Sequence, residues 1–369
     1  MKKIVISGIN IRDGGTLSVF RSLLDDIVRG SIYKRYEIIA LVSKKELFQE
    51  YLNYISVIDF PKEHKSRVLR FYYEYIWTKK FSKKNDIYCW ISINDKTPKV
   101  KSIKQFVYCH NPTIFYKCTW KDFYFSKLLF LYTLFYKNLY KHNIRRNDCI
   151  IVQQHWIAKE FTKRFHVENV AVMRPSLKEY PLDNLLVKND NKKIVFFYPS
   201  FPRSFKNFET ICEAVKVLNH EGIVDFTVML TIGGKENRYS KYLIKKYANV
   251  ANIEFIGLLN GESMLKTYAM SNCLIFPSKL ETWGLPLTEF SKTGRQIIAA
   301  DLPYAHETLR DYQNVSFFKP NDFKKLALLM EQVIDGISFN KASSIRSDRL
   351  ENPEIESWIS FFNTLDKGQ

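Results

Sequence analysis

Four charged side chains sit in two short stretches of this chain. Glu281 and Glu289 bracket Glu-Thr-Trp-Gly-Leu-Pro-Leu-Thr-Glu, while Arg203 and Lys206 lie in Tyr-Pro-Ser-Phe-Pro-Arg-Ser-Phe-Lys-Asn. Two cations in one loop suit a diphosphate. Two carboxylates facing one mouth, beside the free helix-start amides of Trp283, Gly284 and Leu285, suit a phosphate or a sugar oxygen. Taken singly, each group is also an ordinary one: Glu281 a solvated loop residue, Glu289 a first-turn acid, Arg203 and Lys206 surface cations.

The elements around these residues decide whether they meet. Cys273 to Phe276 and Gln296 to Ala300 are apolar runs closed by Pro277 and by Asp301 and Pro303, so both read as buried parallel strands. One helix fits between them, with Pro286 at its first position, Glu289 in its first turn and Gly294 just past its end. Gly284 lets a ligand approach the backbone closely. A strand ending at Tyr198 runs through the Arg203 to Lys206 loop into a helix reaching Leu218. The same plan recurs at the start: Ile4 to Ser7, a loop holding Gly14 and Gly15, then a helix to about Val28. That glycine spacing is not the dinucleotide fingerprint, and the pair reads equally as a tight turn. Further strand-like runs fall at 37–42, 56–59, 87–91, 105–109, 149–152, 227–232 and 252–257. His110 follows the 105–109 run at its carboxyl end, where it reads as a turn or packing residue. The alternation predicts an α/β protein with doubly wound sheets, whose ligands bind at the carboxyl edge.

The string Pro-Ser-x-x-Glu-Thr-Trp-Gly-Leu-Pro-Leu-Thr-Glu, followed by a Gly, an apolar strand and Ala-Asp-x-Pro, closely resembles the signature of retaining glycosyltransferase family four. The resemblance implies the GT-B fold: two facing Rossmann-like doubly wound domains with an interdomain cleft. It places an acceptor-side domain at 1–175, a linker at 176–192, a nucleotide-sugar domain at 193–350 and a closing helix at 351–369 that returns to the first domain. By the same resemblance Glu289 holds the ribose, and Glu281 with the amides of Trp283, Gly284 and Leu285 holds the sugar. Lys206 holds the leaving diphosphate, Gly257 and Leu258 border the base, Gly14 and Gly15 approach donor phosphate or acceptor, and His110 faces the donor sugar. Arg203 is the weaker match, because the family's Gly-Arg is replaced here by Tyr-Pro-Ser-Phe-Pro-Arg. The expected donor is a UDP-, GDP- or dTDP-linked sugar, with no further cofactor. No Asp-x-Asp occurs and no ligand spacing suggests a metal, so transfer is expected to be metal-independent.

The 369 residues carry a net charge of +18, and the charge is unevenly spread. To Leu182, 33 Lys and Arg face 16 Asp and Glu, a net +17; beyond it the balance is +1. Such asymmetry points to an anionic partner for the first half. Between Ile114 and Arg146, Lys and Arg interleave with Phe, Tyr and Trp, as an interfacial segment requires; residues 62–84 repeat the theme more weakly and read as a core helix with a basic face. The most apolar segment, Leu128 to Tyr136, is under half of the roughly 20 residues that span a bilayer, and the opening apolar run is too short for a signal peptide. Six cysteines without paired spacing read as buried thiols of a reducing cytosol. With the family's common setting, these features predict a peripheral protein of the bacterial inner leaflet acting on a lipid-linked glycan, as in O-antigen assembly. Two other readings compete. A sugar-nucleotide epimerase would share the fold, and a nucleic-acid-binding protein would share the charge, although no helix-turn-helix, zinc or RNP pattern is present.

Overall fold

A computed structural model describes residues 1–62, 66–175, 193–339 and 352–367. The expected linker at 176–192 lies outside the described residues. The chain divides into two compact units: Met1–Phe115 with Tyr132–Ser176 and Ser347–Gln369, and Tyr116–Leu131 with Leu177–Arg346. Tyr116–Leu131, which the sequence reading assigns to the first domain, thus groups with the second unit.

The first unit is built on seven parallel strands: β1 (Lys2–Gly8), β2 (Tyr36–Val42), β3 (Ser56–Asp59), β4 (Ile87–Ser92), β5 (Lys104–Cys109), β6 (Cys149–Val152) and β7 (Val170–Val172). Their spatial order is β3-β2-β1-β4-β5-β6-β7. The central strands are near-continuous apolar runs because helices cover both faces. On one face, the helix Gly14–Arg29 contributes Phe20, Leu23, Leu24 and Ile27, a spacing that forms one helical stripe. The helix Trp358–Lys367 fills the same core with Trp358, Phe361, Phe362 and Leu365. Buried Asp26 fixes its start by accepting the Trp358 amide at 3.2 Å. On the other face, Phe60, Tyr73, Trp77 and Phe81 join Trp90 in one apolar cluster, so the helical residues 67–84 of the 62–84 stretch pack on the core along their inner side.

The second unit holds six parallel strands: β8 (Ile194–Tyr198), β9 (Phe226–Leu230), β10 (Ile253–Phe255), β11 (Cys273–Phe276), β12 (Gln296–Ala300) and β13 (Val315–Phe318), ordered β10-β9-β8-β11-β12-β13. All pairings are parallel, so every strand delivers its following loop to one edge. In each sheet the order reverses once, between β1 and β4 and between β8 and β11. A crevice opens at such a reversal, and ligands of open α/β sheets bind there. Cys89, Cys109, Cys212 and Cys273 are free and buried, and burial pushes all four thiols well up, which leaves them inert.

Candidate active site

The two loops singled out by sequence follow β8 and β11, the strands on either side of the reversal in the second sheet. After β8 the chain makes a 3-10 turn, Ser204–Lys206, and Asn207 takes a left-handed conformation with φ 61° before the helix Phe208–His220 begins. Asn207 donates through Nδ2 to the carbonyls of Pro277 and Pro320, at 3.2 and 2.6 Å, so the residue after Lys206 is bolted to two neighbouring loops. The Tyr198 hydroxyl donates to the Lys206 carbonyl at 2.9 Å, and the Lys279 amide donates to the Phe205 carbonyl at 2.8 Å. The ammonium of Lys206 is thereby aimed at the β11 loop, where it pairs with the Glu281 carboxylate. Both side chains are largely shielded, so the pair acts at a lower effective dielectric than a surface pair.

The β11 loop is held just as firmly. Tyr304 donates to the Ser278 carbonyl at 2.7 Å, Thr308 donates to the Trp283 carbonyl at 2.6 Å, and the Trp283 indole donates to Thr288 at 2.8 Å. Tyr198 and Tyr304 are buried, and burial first, then the nearby Glu281 carboxylate, pushes both hydroxyls well above their usual range, keeping them neutral donors. Gly284 adopts φ 81°, and a Cβ there would meet Leu287 and Phe276 at 3.2 and 3.3 Å. Glycine is required on both counts.

The helix that follows is Leu285–Ser291, one residue earlier than expected, so Pro286 is its second residue. Glu289 therefore lies in the second turn, and the first turn contains no acid. This corrects the sequence reading: the macrodipole, strongest at the first turn, does little for Glu289. Its partner is Tyr268, which donates to the carboxylate at 2.9 Å. Burial pushes the Glu289 carboxyl above the ordinary glutamate range, opposed by the Tyr268 hydrogen bond and by Lys292.

The remaining candidates fall around these groups unequally. Arg203 is exposed, lies 5.7 Å from the Phe201 ring centre, and makes no ion pair among the described residues, so only Lys206 joins Glu281. Gly257 follows β10 with φ 74° and donates to the Ile232 carbonyl at 3.1 Å, next to the Gly233-Gly234 turn, while Leu258 is exposed. Gly14, Gly15 and His110 belong to the first unit. Gly14 opens the helix after β1 with φ 65°, and nothing crowds either glycine. His110 follows β5; its amide donates to Asp95 Oδ1 at 2.7 Å and its Nε2 lies 3.5 Å from Asp95 Oδ2. Asp95 is buried with φ 66°.

Sequence reasoning missed Asp95, Tyr268 and Lys279. Asp95 had a usable signal, an acid just past a central strand; the other two had none, because their partners are distant in sequence. Among the described residues no group of His, Cys, Asp and Glu is arranged to hold a metal ion.

Residues 182–346 match the family glycosyl transferases group 1. The matched residues lie within the second unit. The Lys206 and Glu281 loops and Glu289 all fall within the matched residues. Among solved structures, the chain is similar to sucrose-phosphate synthase from Thermosynechococcus elongatus, with TM-score 0.64 and 14% identity over 91% of this chain and 90% of that one. The apo lipopolysaccharide outer core galactosyltransferase WaaB gives TM-score 0.63 and 12% identity over the whole of both chains. Anabaena HepE, solved with UDP and glucose, gives TM-score 0.61 and 13% identity over 100% of this chain and 98% of that one. These likenesses establish the GT-B fold. No curated protein matches the sequence.

Proposed function

We propose that the protein is a retaining, metal-independent glycosyltransferase that moves a sugar from a nucleoside diphosphate to a lipid-linked glycan, in the manner of O-antigen assembly at the inner leaflet. The observation that carries this reading is the Lys206–Glu281 pair at the strand-order reversal of the second sheet, within the residues matched to the group 1 family. The bond from the anomeric carbon to phosphate oxygen breaks while an acceptor hydroxyl oxygen bonds to that carbon and passes its proton to the departing phosphate oxygen. Negative charge grows on the departing diphosphate. A unit charge at about 4 Å is worth roughly 4 kcal/mol at an effective dielectric near 20, so Lys206 alone supplies a large part of the stabilisation that a metal ion would otherwise give. Glu281 holds the ammonium in place and accepts from sugar hydroxyls, the amides after Trp283 face the sugar, and Glu289 accepts from the ribose. Gly257 and Leu258 border the base. Arg203, exposed at the rim, is a second contact to the diphosphate. In the first unit, Gly14, Gly15 and His110 stand at the carboxyl edge and form its ligand contacts. The UDP bound in the similar Anabaena structure supports a nucleotide donor.

The membrane part of the reading is supported by exposed apolar side chains on two consecutive helices, Trp120–Phe125 and Lys127–Lys141. Trp120 and Tyr124 on the first and Leu128 and Leu131 on the second are 83, 56, 44 and 46% exposed. Lys117 and Lys127 lie exposed beside them. Rings at headgroup depth with cations reaching lipid phosphates fit an anionic leaflet. Among the described residues no helix is long and apolar enough to cross a membrane.

The test is release of nucleoside diphosphate from sugar-nucleotide donors, with and without a lipid-linked glycan fraction. Release that requires the acceptor is expected, and Lys206→Ala should lower it by about a hundredfold or more, as for loss of an oxyanion-stabilising group. Conversion of the donor's sugar without acceptor would identify an epimerase instead.

A further inference from the structure

The helix Trp120–Phe125 comes from the middle of the first half of the chain, yet its inner side is fastened to the loop that carries Lys206. Asp122 makes the fastening. It is buried, and its Oδ1 accepts the Ser204 hydroxyl at 2.5 Å across 82 positions of sequence. Its Oδ2 accepts the Tyr116 hydroxyl at 3.0 Å and the Thr119 amide and hydroxyl at 2.8 and 2.7 Å. Burial works against the charge, but these donors outweigh it and hold the Asp122 carboxyl below its ordinary range. The carboxylate therefore stays ionised and saturated, a rigid post rather than a mobile surface acid.

A second pair locks the same contact in the opposite sense. Lys121 reaches Glu209, in the first turn of the helix after Lys206, at 2.5 Å, and Tyr239 donates to that same carboxylate. Phe125 packs on Tyr239 and Tyr242 at 5.1 and 5.0 Å, and Tyr116 meets Phe205 edge-on at 6.0 Å. Ser204 and Lys206 are two residues apart in one 3-10 turn, so a hold on the Ser204 hydroxyl fixes the turn from which the Lys206 side chain departs.

We infer that Asp122 is a positioning residue for Lys206: through Ser204, a carboxylate from the first half of the chain sets the place of the cation that meets the leaving diphosphate. The inference rests on the function proposed above for its catalytic consequence, while the tether itself is testable without it.

Two measurements on Ser204→Ala, with Tyr116→Phe as the control, test it. Tyr116→Phe removes a donor to the same carboxylate and keeps the ring on Phe205, but leaves the Ser204 tether intact. First, the rate at which an amine reagent labels Lys206, read by mass spectrometry on the full chain, should rise several-fold in Ser204→Ala and stay unchanged in Tyr116→Phe. An unchanged rate in Ser204→Ala overturns the tether. Second, Ser204→Ala should lower kcat about tenfold with KM changed less than twofold, and should cost almost nothing further on a Lys206→Ala background. An equal loss on both backgrounds, or unaltered kcat, overturns the positioning role and leaves Asp122 a folding residue. If labelling rises while the wild-type chain transfers no sugar from any donor, the proposed function fails and the tether stands.

Discussion

Glu289 shows how one half-buried carboxylate can oppose stability and serve function at once. Its folded-state pKa is raised by burial, so the folded chain takes up that proton more readily than the unfolded chain. The ionised form therefore costs stability at every pH above the ordinary glutamate range, and the cost is relieved as pH falls through the folded-state value. Glu289→Gln mimics the neutral form and keeps an acceptor for Tyr268. It should melt higher than wild type at pH 8, with the difference shrinking towards pH 5, as followed by thermal denaturation. It should also lose about tenfold in kcat/KM, because a hydrogen bond from a ribose hydroxyl to a charged acceptor is worth roughly 1.5 kcal/mol or more. Stability that falls on substitution would contradict the assigned environment. That Glu289 occupies the second turn was hidden from sequence, because Pro286 is tolerated at either of the first two helical positions and moves the count by one. Lys206 and Glu281 were readable as candidates, each standing just past an apolar run, but their pairing depends on Asn207 and Lys279 bonds that no local pattern announces.

At the scale of elements, the loop from Pro277 to Gly284 is organised by a single left-handed residue. Gly284→Ala adds a Cβ at φ 81° and against Leu287 and Phe276, so it should destabilise the chain by about 1–2 kcal/mol in denaturant titration and displace the amides of the site. A neutral outcome would mean that the turn relaxes freely. The strands on either side, β11 and β12, stand where the apolar runs between Pro277, Asp301 and Pro303 predict, and β3 and β6 also keep their expected limits. Two edge strands, β7 and β13, were not anticipated. Val170–Val172 has only three residues, and Val-Ser-Phe-Phe alternates too little to separate from a loop. The aromatic stretch after Ile114 was read as one interfacial surface, whereas the structure divides its sides. Phe125 packs inward on Tyr239 and Tyr242, while Trp120 and Tyr124 remain exposed. Composition carries no information about which ring faces which way.

The charge asymmetry acts over the whole molecule. With a net +17 up to Leu182 and exposed Trp120 and Tyr124 beside Lys117 and Lys127, the protein should bind vesicles containing anionic lipid and release them as salt rises, since exposed charges are screened within about 10 Å at 0.1 M. Trp120→Ala with Tyr124→Ala should weaken sedimentation with such vesicles by about tenfold or more, given roughly 1.5–3 kcal/mol for each large apolar side chain buried. Equal binding to neutral vesicles, or to duplex DNA in preference to lipid, would contradict this reading. Each unit's sheet was visible in the strand and helix alternation, but the grouping of Tyr116–Leu131 with the second unit was not. Its anchor, Asp122 to Ser204, joins positions 82 apart, and a lone Asp in an aromatic helix advertises no partner.

The central claim is that the Lys206 loop of the second unit receives a nucleoside diphosphate. Calorimetric titration of UDP, GDP and dTDP into the wild-type chain and into Lys206→Ala tests it most directly. One of the three should bind the wild type, and Lys206→Ala should bind it at least tenfold more weakly while still folded. Binding of none of them, or binding that Lys206→Ala leaves unchanged, would contradict the account.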